Sequence, residues 1–273
     1  MSSLALVVGS RGLLGVPCLA TSGNTPLVAH RYDTVGQVYA RHRVPDPRIT
    51  RQIERALGDA YTVVNVGGGA GAYEPIDRQV VAVEPSPVMI DQRAVDAAPV
   101  VQAVAEALPF PDQCFDAALA TFTVHHWQDS ATGLRELERV ARRQVILTFD
   151  QGDEWLDNFW LTRDYLPYAQ FRGTLFSGLS QVCAVIKPMR VEVVPVPFDC
   201  TDGFFCAYWR RPHAYLDPGV RASISALALL DAAVLAPGLD RLEADLRSGA
   251  WRRRNRHLLE LDALDFGYRL VVS

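Results

Sequence analysis

Apolar residues in the first half of the chain alternate between two rhythms, short β-branched runs and stretches with a period near 3.6, which together predict an α/β protein. Ile49, Ile53, Ala56 and Leu57 recur at helical spacing after Pro45 and Pro47, and Gly58 stops that helix, which is expected to cover the sheet edge. Strands are predicted at 62–66, 80–84, 100–103, 115–121 and 145–149. Between them, a helix over 87–93 is capped by Ser86, and a second, running through Leu134 and Leu137 to Val140, is capped by Asp129 or Ser130. The second half loses this rhythm. A sixth strand is predicted at 191–198, a helical stretch over 218–261 and a last strand at 266–272, with an aromatic-rich segment from Trp155 to Lys187 before them. Trp155, Phe159, Trp160, Tyr165, Tyr168, Phe171 and Phe176 in that segment suit either the wall of a pocket or the core of a helical layer.

The stretch YTVVNVGGGAGAYEPIDRQVVAVE, Tyr61 to Glu84, carries the most chemistry. Val63, Val64 and Val66 suit a buried parallel strand, and Gly67, Gly68, Gly69 and Gly71 let the backbone turn tightly and approach a ligand closely. Glu84 ends the next strand, where a carboxylate can accept both hydroxyls of a ribose. An adenosine-containing cofactor is the implied ligand.

Composition narrows the partners. Apolar residues make up 49% and charged residues 21%, enough to bury a core. A net charge of −4 gives no general attraction for nucleic acid, and the cluster Arg252, Arg253, Arg254 and Arg256 reads as a solvated helix face. Five cysteines without a C-x-x-C pair suit a reduced cytoplasm, and no run predicts a membrane span or an export signal. No metal site is expected. The VVGSRGLLG segment near the start imitates a glycine-rich nucleotide turn, but no acidic strand end follows, so a loose N-terminal extension is the preferred reading.

Four blocks carry a family resemblance: VVNVGGGAG, VVAVEPSPVM, AEALPFPDQCFD and FTVHHWQDSATGLRELERVAR. In order and spacing the chain resembles the class I S-adenosylmethionine-dependent methyltransferases, in particular the methyltransferase type 11 subgroup with the ubiquinone and menaquinone C-methyltransferases. The resemblance implies a Rossmann-like, doubly wound, mostly parallel seven-stranded sheet with helices on both faces and an inserted helical cap. The chain then divides into an N-terminal extension (1–29), a helical lid (30–60), the cofactor-binding core (61–150), the aromatic-rich insertion (151–190) and the remaining strands with a second helical insertion (191–273).

It also implies a cofactor, S-adenosyl-L-methionine, and its contacts. Gly67, Gly68 and Gly69 would expose backbone groups to the methionine part, with the start of a following helix beside them. Glu84 would hold the ribose, Pro85 and Met89 would offer surface to the adenine, and Ala105 and Glu106 would border its other side. Thr121 would lie beside the sulfonium. In YARHR, Tyr39, Arg41 and Arg43 match a lid, and Arg43 would pair with the cofactor carboxylate. Two positions depart from the family: Asn65 replaces the usual acid of the first motif, and Val104 replaces an acid before AEALPF.

Methyl transfer needs alignment and exclusion of water, and a small-molecule acceptor bearing a proton also benefits from a base. His125 and His126 are the candidates, although HHW also suits a turn into the next helix with Trp127 packed inward. Tyr208, Trp209, Arg210 and Arg211 suit either a substrate-facing cluster or helix packing. The competing functions are an NAD(P)-dependent oxidoreductase using the same glycine loop and a cofactor-binding protein without methyl transfer. The oligomeric state is left open by the sequence.

Overall fold

The computed structural model describes residues 7–8, 42–150, 159–166 and 178–273. Its strands are β1 (Val7–Val8), β2 (Thr62–Val66), β3 (Gln79–Val83), β4 (Val100–Val101), β5 (Phe115–Thr121), β6 (Ala141–Phe149), β7 (Arg190–Val193), β8 (Val196–Pro197), β9 (Ala263–Leu264) and β10 (Tyr268–Val272). The main sheet runs β1-β4-β3-β2-β5-β6-β10-β7, and β8 pairs with β9 in a separate ribbon. From β4 to β7 this is the expected seven-stranded Rossmann-like arrangement, parallel from β4 through β6, with β10 antiparallel to both its neighbours. Val7–Val8, expected in a loose extension, adds an antiparallel edge strand against β4.

Alternation along the central strands sorts their side chains onto two faces. Val63, Ala117, Leu119, Val145, Leu147 and Leu270 point into one core layer, while Val64, Val66, Ala118, Ala120, Ile146 and Val271 point into the other. Helix α1 (Pro47–Leu57), capped by Asp46 and ended at Gly58, buries Ile49, Ile53, Ala56 and Leu57 on the first face. It lies on the sheet rather than over its edge, because those four apolar side chains form a stripe that only a sheet face can bury. The second face is covered by Leu134, Leu137 and Val140 of α3 (Ser130–Val140) and by Val182 of α4 (Leu179–Val185).

Three local expectations change. The helix after Ser86 is a single turn, α2 (Pro87–Ile90). The sixth strand splits into β7 and β8, because Pro195 between them has no N–H to give a ladder and Pro197 limits the second piece. The stretch 218–261 breaks into four helices and a 3₁₀ turn, the longest being Ala232–Arg247.

The described aromatics of the insertion are core. Phe159, Trp160 and Tyr165 are buried, and Phe159 meets Phe205, Tyr215 and Phe266 at centroid distances of 5.3 to 6.1 Å. Trp155, Tyr168, Phe171 and Phe176 lie outside the described residues. Trp209 is fully buried, and Arg211 lies over the Tyr208 ring while donating to two backbone carbonyls, so this cluster too is packing.

Candidate active site

The strand order turns back on itself between β2 and β5, and a cavity of about 340 Å³ opens beyond the carboxyl ends of the strands there. Its size falls in the range of small-ligand sites. All ten predicted cofactor-contact residues line it: Arg43, Gly67, Gly68, Gly69, Glu84, Pro85, Met89, Ala105, Glu106 and Thr121. Tyr39 and Arg41 lie outside the described residues.

The glycine cradle depends on backbone that side chains would obstruct. Gly67 has φ +69°, and a Cβ there would lie 2.0 Å from Thr123 Oγ1. Gly69 has φ +50°. The amides of Gly67 and Gly68 both donate to the Val83 carbonyl, at 2.8 and 3.0 Å, and the Gly69 amide donates to Glu84 Oε2 at 2.9 Å. All three amides are therefore used inside the protein. What the cradle offers is a wall free of side chains.

No helix follows it. Only twelve residues, 67–78, separate β2 from β3, the minimum for a parallel crossover, and residues 69–73 form turns. The expected helix start beside the cofactor is absent because the crossover is too short to contain one.

Glu84 is nearly buried. Its Oε1 accepts from the Ser86 amide and its Oε2 from Gly69, each at 2.9 Å. These two bonds fix the orientation of the carboxylate at the end of β3. Met89 is buried beside the cradle, with its methyl 3.3 Å from where a Gly69 Cβ would stand. Across the cavity, Glu106 Oε1 accepts from the Asp129 amide at 3.1 Å, and Asp129 in turn caps α3. These residues fit an adenosine-bearing cofactor: a bare cradle, an oriented acid at the ribose position and an apolar slot between Met89 and Ala105.

The sequence does not single out Tyr73, Phe122 or Thr123, yet all three line the cavity. Tyr73 and Phe122 hold φ of +63° and +52°, costly for non-glycine residues and concentrated here at the site. Trp127 also lines it, donating from Nε1 to Thr123 Oγ1 at 3.2 Å; Gly133 makes room for the indole, since a Cβ there would lie 2.5 Å from the ring. A glycine in the middle of a helical pattern is a sequence signal of that packing.

Arg43 joins the segment before α1 to the last third of the chain. Its backbone bridges Asp202, and its guanidinium grips the fully buried Asp202 carboxylate, which also accepts from the Tyr73 hydroxyl at 2.8 Å. Burial, with the nearby carboxylate adding to it, pushes the Tyr73 pKa well above the usual value, so the phenol stays a donor. Arg43 thus reaches the cavity while already in an ion pair.

A second, smaller cavity of about 60 Å³ adjoins the first through Arg43, Phe122 and His126, which line both. Its remaining wall includes His125, Phe149, Phe204, Phe205 and Tyr268. His125 faces this cavity alone, with its ring centroid 3.8 Å from that of His126 and 5.2 Å from that of Phe149.

Comparison with known proteins agrees with this geometry. Residues 64–149 match the family model described as a methyltransferase domain. A solved structure from Anabaena variabilis, described as a methyltransferase of an antibiotic biosynthesis pathway, superposes with a TM-score of 0.70 at 31% identity, covering 87% of this chain and 99% of that one. The chain belongs to the S-adenosylmethionine-dependent methyltransferase family. Among curated proteins, the ubiquinone/menaquinone biosynthesis C-methyltransferase of Xylella fastidiosa is 30% identical over 132 residues, covering 42% of this chain and 51% of that one. An uncharacterized methyltransferase of Bacillus subtilis is 29% identical over 114 residues, covering 36% and 45%. The matches span about half the length of these curated relatives. Among the described residues, no helix is long and apolar enough to cross a membrane.

Proposed function

We propose that the chain transfers the methyl group of S-adenosylmethionine to a small-molecule acceptor by in-line displacement. The observation that carries this reading is the pairing of two cavities: one gathers every expected cofactor contact, and the other meets it at Phe122 and His126. When bound, the cofactor supplies a methyl group already activated on a sulfonium. The protein's own task is alignment and exclusion of water.

Glu84 would fix the ribose, and Gly67 to Gly69 would let the methionine part lie against bare backbone. Thr121, at the end of β5, would stand beside the sulfur. The rings of Phe122, Phe149, Phe204, Phe205 and Tyr268 favour an acceptor whose entering end is uncharged and apolar. His126, on the wall common to both cavities, would take a proton from the acceptor, with the tilted His125 ring in contact with it.

The test is incubation with methyl-labelled cofactor and a panel of small acceptors, alongside titration with S-adenosylhomocysteine and NADH. Labelled product, binding of the homocysteine analogue and no binding of NADH are expected. Tight cofactor binding with no methyl turnover on any acceptor would contradict the proposal. For His126→Ala, turnover should fall on the order of 10²-fold while affinity for the analogue stays within about twofold. Full activity in both His126→Ala and His125→Ala would remove histidine base catalysis.

A further inference from the structure

Two family features are missing beside the cradle, the acid at position 65 and the helix after the glycines, and one buried cluster occupies their place. Glu74, on the short crossover, accepts from Arg93 Nη2 at both carboxylate oxygens, each at 2.7 Å, and from the Ala98 amide at 3.3 Å, and the Glu74 and Arg93 side chains are 8% and 5% exposed. Arg93 also donates from Nη1 to the Gly69 carbonyl at 2.9 Å and from Nη2 to the Ala98 carbonyl at 3.0 Å. Gly69 is therefore held from both sides, its amide by Glu84 and its carbonyl by Arg93. Asn65 completes the cluster: fully buried, it donates from Nδ2 to Glu74 Oε1 at 3.1 Å, while its Oδ1 has no hydrogen-bond partner among the described residues.

This arrangement accounts for the amide at position 65. An aspartate there would set a second carboxylate about 3 Å from Glu74, with one guanidinium to neutralise both. Asparagine donates instead, and the cluster keeps one cation and one anion. We propose that Glu74 and Arg93 are positioning residues of the cofactor cradle: the carboxylate has moved from position 65 to position 74, and the ion pair fixes Gly69 where a crossover helix would otherwise support the loop. The proposal rests on reading Gly67 to Gly69 as the cofactor cradle. Neither side chain lines the cavity, so their effect reaches the cofactor through the Gly69 peptide.

The test is a double-mutant cycle read by S-adenosylhomocysteine affinity and by thermal melting of the full chain. Asn65→Asp and Glu74→Gln should each weaken binding on the order of tenfold, the first by adding a buried anion and the second by leaving Arg93 without one. Asn65→Asp combined with Glu74→Gln restores one cation and one anion, and should recover affinity to within about threefold of wild type. Arg93→Lys should also lose about tenfold, because an ammonium cannot serve both Glu74 oxygens and the Gly69 carbonyl at once; it carries the test should Asn65→Asp fail to fold. Variants that melt earlier yet bind the analogue like wild type would show a merely structural cluster and overturn the proposal, as would Asn65→Asp equal to wild type in both readouts. A wild-type chain that does not bind the analogue would contradict the cofactor assignment itself, and the clamp with it.

Discussion

The two cavities are built by opposite means. The larger is lined mainly by small residues and backbone from segments that stay close to the strand ends, 67–73, 84–89, 103–106 and 121–129, so its shape follows from the sheet. The smaller draws on positions 43, 122–126, 149, 204–205, 224–226 and 268, spread along most of the described chain, and its wall is mostly rings. One is a product of local turns and one of tertiary packing. A site for an invariant cofactor can be fixed by backbone geometry, whereas a site for a particular acceptor depends on side chains that other parts of the fold deliver.

That contrast can be tested by damaging each side separately. The largest effect is expected from Gly67→Ala, which needs φ +69° of a residue with a Cβ and drives that Cβ toward Thr123 Oγ1. Binding of S-adenosylhomocysteine should be lost in calorimetry, with a stability loss of about 2–4 kcal/mol in urea unfolding. Next comes Glu84→Ala, which should weaken binding of the analogue by about 2–4 kcal/mol if two charge-assisted ribose bonds are lost. Unchanged affinity would move the ribose elsewhere. On the other side, Phe205→Leu removes a ring from the smaller cavity alone, so acceptor KM should rise about fivefold with cofactor affinity unchanged. A parallel loss of cofactor affinity would mean that the cavities are not separable.

The last effect, on stability rather than binding, concerns the contact between α1 and the loop around Thr201. Asp46 caps α1 and accepts from the Thr201 amide at 3.2 Å, next to the loop that holds Arg43. Burial pushes its carboxyl pKa up, but hydrogen bonds from Arg48 and Thr201 and the Arg48 charge outweigh that and hold it at about 2, below the ordinary 3.8. A depressed folded-state pKa contributes stability above the unfolded value that disappears as pH falls through the folded one. Asp46 should therefore contribute up to about 2 kcal/mol at neutral pH, lost between pH 4 and 2. Asp46→Asn should flatten stability across that window in acid unfolding; an unchanged acid limb would remove Asp46 as its source.

Legibility in the sequence follows the same division. Strands β2 and β5 match their predicted bounds and the helix α1 stops at Gly58 as predicted, because β-branched runs and a four-residue apolar stripe report burial directly. Glu84 and the glycines were legible because strand, turn and strand are contiguous. Asn65 stands out as a departure from the first motif, but its partners Glu74 and Arg93 do not: a residue-level pattern carries no sign that an arginine 24 positions away holds a glycine carbonyl. Phe204, Phe205 and Tyr268 were equally hidden, since an aromatic bordering a cavity and an aromatic in the core have the same local sequence. Phe159 and Trp160 show the same ambiguity, aromatics that suit either a pocket wall or a core and lie in the core.

The most direct test of the central claim is a crystal structure of the full chain with S-adenosylhomocysteine bound. Both ribose hydroxyls should lie within hydrogen-bond distance of the Glu84 carboxylate, with the amino-acid end against Gly67 to Gly69 and the sulfur facing Thr121. A ligand seated elsewhere, with Glu84 bonded only to Gly69, Ser86 and solvent, would contradict the account.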